Sequence, residues 1–271
     1  MKDFPLQFIQ IPAFTDNYIW MIVSKDSAWV VDPGDSAVVI DILKDKKLRL
    51  EGLLITHHHK DHVGGIADLS EWALTNQDSS LRIIGPTNEE IPLRTEVALE
   101  GDQFTLFAGV NVSVFEVPGH TKGHIAYFLP QTINNDVPRV FCGDTLFAGG
   151  CGRLFEGSPA QMSNSLHKLM LLPGETLICC AHEYTLSNLK FAKAVDPHNA
   201  DLINWITKAQ GLRDAGIPTV PTNLALEMKV NPFLRCSEEA LREAAESFSG
   251  GALVEEVDVF AAIRAWKDVF K

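Results

Sequence analysis

Over its first two thirds the chain runs in short apolar stretches separated by turn residues. Ile9 to Ile11, Tyr18 to Val23 and Ala28 to Val31 are β-branched or aromatic and predict strands. Asp32-Pro33-Gly34 closes the third with a turn. Ser36 to Lys44 has the apolar spacing of a helix, and Ile66, Leu69 and Ala73 recur at helical intervals. Leu53 to Thr56, Leu81 to Ile84, Gln103 to Phe107, Val112 to Val117, Ile125 to Leu129, Arg139 to Cys142 and Leu177 to Cys180 predict further strands. Many strands with few helices between them imply a two-sheet core flanked by helices. From His182 onward the period changes. Tyr184 to Val195, Ala200 to Ala215, a segment opened by Ser237 and Leu253 to Phe270 predict helices, with Gly250-Gly251 breaking the last two.

Composition narrows the class. The 271 residues, 46% hydrophobic and 21% charged, suit a globular protein of one large domain or two modest ones. A formal net charge of -12 argues against a nucleic-acid partner, which calls for a basic face. No stretch is long and apolar enough to span a bilayer. The first residues lack the basic flank and apolar run of a signal peptide, so the expected compartment is the cytosol. The five cysteines, Cys142, Cys151, Cys179, Cys180 and Cys236, show no CxxC spacing and are expected as buried thiols.

Chemistry concentrates in Thr56-His57-His58-His59-Lys60-Asp61-His62. Imidazole and carboxylate are the ligands preferred by Zn²⁺ and other first-row divalent metals. Residues two apart on an extended segment face the same way, so His57 and His59 can grip one metal. Asp61 and His62 lie a little further on, within reach of a second. An internal run with an acidic residue and trailing glycines is not a tag. Three more candidates follow predicted strands: His120 after Pro118-Gly119, Asp144 after Gly143, and His182 after Ala181. Each alone is weak; their recurrence at strand ends, where loops on a rigid platform hold functional groups, is the signal.

These segments together resemble the metallo-β-lactamase superfamily and, within it, the glyoxalase II (hydroxyacylglutathione hydrolase) family. The resemblance covers nearly the whole chain. It rests on residues 56–65, on Pro118-Gly119-His120-Thr121-Lys122-Gly123-His124, on Gly143-Asp144-Thr145-Leu146-Phe147 and on His182-Glu183-Tyr184-Thr185. Thr15-Asp16-Asn17-Tyr18 and Asn231-Pro232-Phe233-Leu234-Arg235 also match. The resemblance implies an α+β fold: a metallo-β-lactamase-like αββα sandwich over 1–182 followed by a small C-terminal helical, substrate-binding domain over 183–271.

It further implies two divalent metal ions, zinc first, with iron or manganese compatible with the same donors. His57, His59 and His120 would hold one; Asp61, His62 and His182 the other; Asp144 would bridge. His58 should point away, and His124 should support the site. His167 and His198 are expected as surface or helix residues. The implied reaction is hydrolysis of S-D-lactoylglutathione to D-lactate and glutathione by a metal-bridging hydroxide, with Asp61 and Asp144 as the catalytic carboxylates. A shared water acidified toward a pKa of about 7 would be the nucleophile. The thiol leaving group, with a pKa near about 8.5, departs without a strong general acid.

On the substrate side the resemblance implies Arg264 and Lys267, three apart on the last helix, as the clasp for a glutathione carboxylate. It implies contacts from Arg153 and Phe155, where some members carry Lys and Tyr, and from the Tyr184 phenol. Beyond the glutathione thioester no partner is expected: no nucleic acid, no membrane, and a monomer. Two rival readings differ in class. One is a mononuclear iron persulfide dioxygenase on the same scaffold, which the helical tail with Arg264 and Lys267 disfavours. The other is a non-catalytic, metal-stabilised binding module, which the full set of seven ligand types disfavours.

Overall fold

The computed structural model describes residues 5–131 and 137–271. The chain forms two compact units, one of residues 1–116 and 123–143, the other of residues 117–122 and 144–271. The first unit opens with a sheet in sequential order: β1 (Gln7–Ala13), β2 (Asn17–Ser24), β3 (Ser27–Val31), β4 (Arg49–Leu54), β5 (Arg82–Pro86) and β6 (Glu96–Ala98). Its first three strands are antiparallel and its last four parallel. Parallel neighbours need crossovers, and helices α1 (Ser36–Lys46) and α3 (Ile66–Gln77) supply them, with the single turn α2 (Lys60–Val63) just before α3. Val39 and Leu43 of α1 and Ile66, Leu69 and Ala73 of α3 bury against Ile11, Met21, Val30, Leu50 and Leu53.

Strands β7 (Gln103–Phe107), β8 (Val110–Glu116), β9 (Ile125–Leu129) and β10 (Arg139–Gly143) follow as an antiparallel run in the order β10-β9-β8-β7. Polar side chains tie this run to the first sheet. Trp29 Nε1 donates to Leu106 O at 3.0 Å, and the buried Tyr127 hydroxyl lies 3.0 Å from both Ile55 O and Ile84 O. Both aromatics thereby bury a large apolar body while satisfying the polar end.

The second unit holds the hairpin β11 (Leu146–Phe147) and β12 (Gly150–Cys151), helix α4 (Pro159–Met170), strand β13 (Leu177–Cys180) and helices α5 (Thr185–Val195) and α6 (Ala200–Asp214). Strand β14 (Thr222–Asn223) pairs with β13, and α7 (Leu224–Val230), a 3-10 turn at Pro232–Leu234, α8 (Glu239–Ser249) and α9 (Glu256–Val269) complete it. Leu189, Ala192, Leu202, Trp205, Ala209 and Val230 form one core of the helical layer. Phe191, Phe233, Phe260, Trp266 and Phe270 pack edge-to-face or stacked as another.

The predicted strands and the four predicted tail helices are present, some with identical ends and others shifted by up to four residues, most at the start of β4; α7 was not anticipated. Helix α4 was not anticipated, although its start is written in the sequence. Ser158 Oγ accepts from Gln161 N at 3.2 Å, Gln161 Oε1 accepts from Ser158 N at 2.9 Å, and Pro159 occupies the first turn. Its period was masked by few apolar residues and two serines in mid-helix. The last helix begins at Glu256 rather than Leu253, because Glu255 and Asp258 form a capping box there.

Glu227 of α7 is a buried carboxyl inside the second unit. Its Oε2 accepts from Gly149 N at 2.8 Å and from Asn231 Nδ2 at 3.0 Å, which fastens the β11–β12 turn to α7. Burial pushes this carboxyl up to about 7 from an ordinary 4.5, against the opposing effect of those hydrogen bonds. A raised folded-state pKa gives stability that is full below 4.5 and lost as pH rises through about 7. Glu227→Gln should remove a loss on the order of 3 kcal/mol over that window, so the stability difference between variant and wild type grows with pH. Urea unfolding at stepped pH measures it.

Candidate metal centre

All four segments that carry predicted ligands begin just past a strand. His57 follows β4, His120 follows β8, Asp144 follows β10 and His182 follows β13. In the first unit His59 has extended backbone, and the His57 and His59 rings turn together, with His57 Nε2 3.1 Å from His59 Nδ1. His58 points away, to Glu89. The turn α2 then presents Asp61 and the buried His62, with His62 Nε2 3.5 Å from Asp61 Oδ2. Asn17 Nδ2 donates to the same Asp61 oxygen at 2.9 Å. The His124 ring stacks on His57 with centroids 4.5 Å apart.

Asp32 organises this group from beneath. Its Oδ1 accepts from Thr56 N at 2.8 Å, and its Oδ2 accepts from Thr56 Oγ1 at 2.7 Å and from His62 Nδ1 at 3.0 Å. The hydrogen-bond network therefore assigns the tautomers. His62 carries its proton on Nδ1 and turns the Nε2 lone pair toward Asp61. The Thr56 hydroxyl is spent on Asp32, so it accepts from His57 Nδ1 at 3.0 Å, and His57 Nε2 becomes an acceptor facing His59. Asp32 does this with φ at 52°, a left-handed conformation that Asp tolerates better than most residues.

The second unit repeats the logic. His120 Nδ1 donates to Arg153 O at 2.8 Å, which leaves its Nε2 as an acceptor 3.3 Å from Asp144 Oδ2. His182 Nε2 lies 3.4 Å from the other oxygen, Asp144 Oδ1. Gly152 permits this crowding: a Cβ there would fall 1.9 Å from Asp144 O and 3.2 Å from His120 Nδ1. The His120 Nε2 lone pair set against Asp144 Oδ2 repels it unless a cation lies between them. Imidazole nitrogens and carboxylate oxygens are the donors that zinc and its neighbours accept, and these His and Asp clusters are capable of holding a metal ion.

Aromatics lie against the second unit's candidate ligands, and cations gather at Asp268. Phe155, 60% exposed, meets the His120 ring edge-to-face at 5.3 Å, and Tyr184 stacks on His182 at 4.6 Å with 4° between planes. Asp268 gathers two cations, Arg153 Nε at 3.3 Å and Arg264 Nη2 at 3.1 Å. Arg264 is buried and also donates to Cys151 O at 3.1 Å. Lys267 donates to Ser187 O at 3.1 Å. Burial, then the charge of Arg264, lowers the Lys267 pKa to about 8.

Two family models divide the chain. The one described as the metallo-beta-lactamase superfamily matches residues 13–182, and hydroxyacylglutathione hydrolase C-terminus matches residues 183–270. A hydroxyacylglutathione hydrolase from Albidiferax ferrireducens is 48% identical over 98% of this chain and 100% of its own. One from Cupriavidus metallidurans is 51% identical over 96% of this chain and 98% of its own. The chain belongs to the hydroxyacylglutathione hydrolase family.

The metallo-β-lactamase fold is also that of more distant solved proteins. ETHE1 from Myxococcus xanthus has a TM-score of 0.63 at 22% identity, covering 97% of this chain and 98% of its own. The BLEG-1 B3 metallo-β-lactamase has 0.62 at 21%, covering 84% of this chain and 100% of its own. In this family member all five cysteines are buried thiols. Burial pushes Cys151 up to about 11 and Cys180 up to about 12, which leaves neither as a nucleophile at neutral pH.

Sequence reasoning named Thr56 and Asn17 only within motifs and Asp32 only as a turn, gave none of them a role at the site, and did not name Glu89. Asp32 had a signal: it ends an apolar strand, as the ligand segments do, but was read only as a turn. Glu89 had none, since its loop carries no motif. His167 and His198 lie apart from the ligands. His167 sits on α4, with Nδ1 2.9 Å from Ser163 O and Nε2 3.1 Å from Glu256, and His198 is an exposed residue between α5 and α6. Asp32→Asn should weaken divalent-cation binding about 10–100-fold, because the amide keeps one oxygen and must turn its NH₂ either at the Thr56 N–H or at the Thr56 hydroxyl and His62. Zinc titration against a chromophoric chelator reads the change; wild-type affinity would refute the tautomer argument.

Proposed function

We propose that this chain hydrolyses the thioester of S-D-lactoylglutathione and other 2-hydroxyacylglutathiones. The products are D-lactate, or the matching 2-hydroxy acid, and glutathione, the second step of methylglyoxal detoxification. The observation that carries the reading is the Asp144 carboxylate, which turns one oxygen to His120 and the other to His182. That is the disposition of a carboxylate bridging two cations. Full-length relatives named hydroxyacylglutathione hydrolase support the substrate class.

In this reading His57, His59 and His120 hold one ion, Asp61, His62 and His182 hold the other, and Asp144 bridges. Zinc suits the donors best, and iron or manganese fit the same set. When bound, the pair supplies Lewis acidity and a water of lowered pKa. The rest falls to the chain's own groups. Asp61, steadied by Asn17, accepts a hydrogen bond from the attacking water and aims it at the thioester carbonyl. Phe155 and Tyr184 offer exposed rings beside His120 and His182 for the acyl-thioester portion. A thiolate leaves readily, so no strong acid is required of the protein.

Residues 183–271 act in this reading as the substrate-binding part and 1–182 as the catalytic part. Glutathione carries two carboxylates, and the second unit sets Arg153, Arg264 and Lys267 around one compensating carboxylate, Asp268. That local positive excess, in a chain of net charge -12, supports an anionic substrate. The working unit is a single chain acting in the cytosol, without nucleic acid. Among the described residues no helix is long and apolar enough to cross a membrane. Light scattering after size exclusion reports the oligomeric state.

The decisive experiment is turnover of S-D-lactoylglutathione by zinc-loaded protein. Asp144→Ala should cut it by more than about 10²-fold, and unchanged turnover would overturn the mechanism. Lys267 adds a pH signature. It is a cation below about 8 and loses its charge as pH rises through that value, so KM for the thioester should climb there. Lys267→Arg should hold KM level across the same range, with kcat little changed.

A further inference from the structure

A buried carboxylate outside the ligand set reaches both sides of the His57–His59 pair. Glu89 lies in the loop between β5 and β6 and is 6% exposed. Its Oε2 accepts from His58 N at 3.0 Å and also takes the His58 ring at Nδ1, while its Oε1 accepts from Gly123 N at 2.9 Å. The two backbone donors are in chain segments 65 residues apart, each next to a group at the site. His58 sits between His57 and His59, and its ring meets His59 edge-to-face at 5.0 Å. Gly123 precedes His124, whose ring stacks on His57.

The approach is too close for any other residue at position 123. A Cβ there would stand 2.8 Å from Asn88 C, Asn88 O and Glu89 Cγ, so only glycine lets this loop seat. The loop is itself tied down. Arg94 Nη1 donates to Glu89 O at 3.0 Å and to Pro86 O, and Ile91 packs into the core of the first unit. Burying a carboxylate is costly unless hydrogen bonds satisfy it, and three donors converge on this one. The His58 N–H lies in the chain between the two imidazoles of the pair, and the Gly123 N–H precedes His124, whose ring stacks on His57.

We propose that Glu89 is a positioning residue that holds the His57 and His59 imidazoles in place for a cation, through the backbone N–H groups of His58 and Gly123. This rests on the two-ion reading above. Fixed ligands lose less freedom when the ion arrives, so the effect falls on affinity. A neutral amide cannot replace the carboxylate, because its oxygen can face only one of the two backbone donors and its NH₂ opposes the other.

The test is zinc binding to the full chain by competition with a chromophoric chelator. Wild type should take two ions, and Glu89→Gln should hold one of them about 10–100-fold more weakly while keeping the other as in wild type. Equal affinities for both ions in variant and wild type would overturn the proposal. A second measurement needs no variant. In metal-free wild type the His58 and Gly123 amides should be protected from hydrogen exchange, and exchange at the rate of an unstructured peptide would overturn it. A wild type that binds fewer than two zinc ions would instead sink the two-ion reading, and the affinity of the remaining ion in wild type against Glu89→Gln would still decide the role of Glu89, an equal value overturning it.

Discussion

The hydrogen bonds made by the far nitrogens of His57, His62 and His120 are the constraint from which the rest of the candidate centre follows. Asp32 takes the proton of His62, Thr56 that of His57 and the Arg153 carbonyl that of His120. Each bond assigns a tautomer, which turns the His62 lone pair toward Asp61, that of His57 toward His59 and that of His120 toward Asp144. The protein thereby orients these groups by its own hydrogen bonds. The energy for this comes from the folded scaffold. Strand ends position the loops, and a buried carboxylate with φ at 52° spans Thr56 and His62 beneath the first group.

Buried acids recur as organisers in this chain, each with a different set of donors. Asp32 accepts from a backbone N–H, a hydroxyl and an imidazole. Glu89 accepts from two backbone N–H groups and an imidazole. Glu227 accepts from the Gly149 N–H and the Asn231 amide, and burial raises its pKa against those hydrogen bonds. Among the cations, Lys267 is lowered by burial and then by the neighbouring Arg264 guanidinium.

Much of this was legible along the chain. Alternating apolar runs marked the longer strands because each buries one face or both, and the change to helical period after His182 marked the tail. The ligand segments stood out because imidazole and carboxylate are scarce at strand ends without a reason. What escaped were elements with little apolar signal, such as α4 and the two-residue strands, and groups whose partners are distant in sequence. Asp32 and Thr56 are 24 residues apart, and Glu89 and Gly123 are 34 apart. Arg264 and Lys267 share a helix face by spacing, yet one turns to Cys151 and the other to Ser187, choices that only packing makes.

The linear order of residues determined which donor atoms this protein owns, which strands end beside them and which family it belongs to. These depend on local chemistry and periodicity, which a chain carries wherever it goes. Tertiary structure alone decided which nitrogen of His57, His62 and His120 donates, which acids are buried with donors around them and which cations are desolvated. Those properties are set by neighbours that meet only on folding, in surroundings where the loss of water makes each hydrogen bond count.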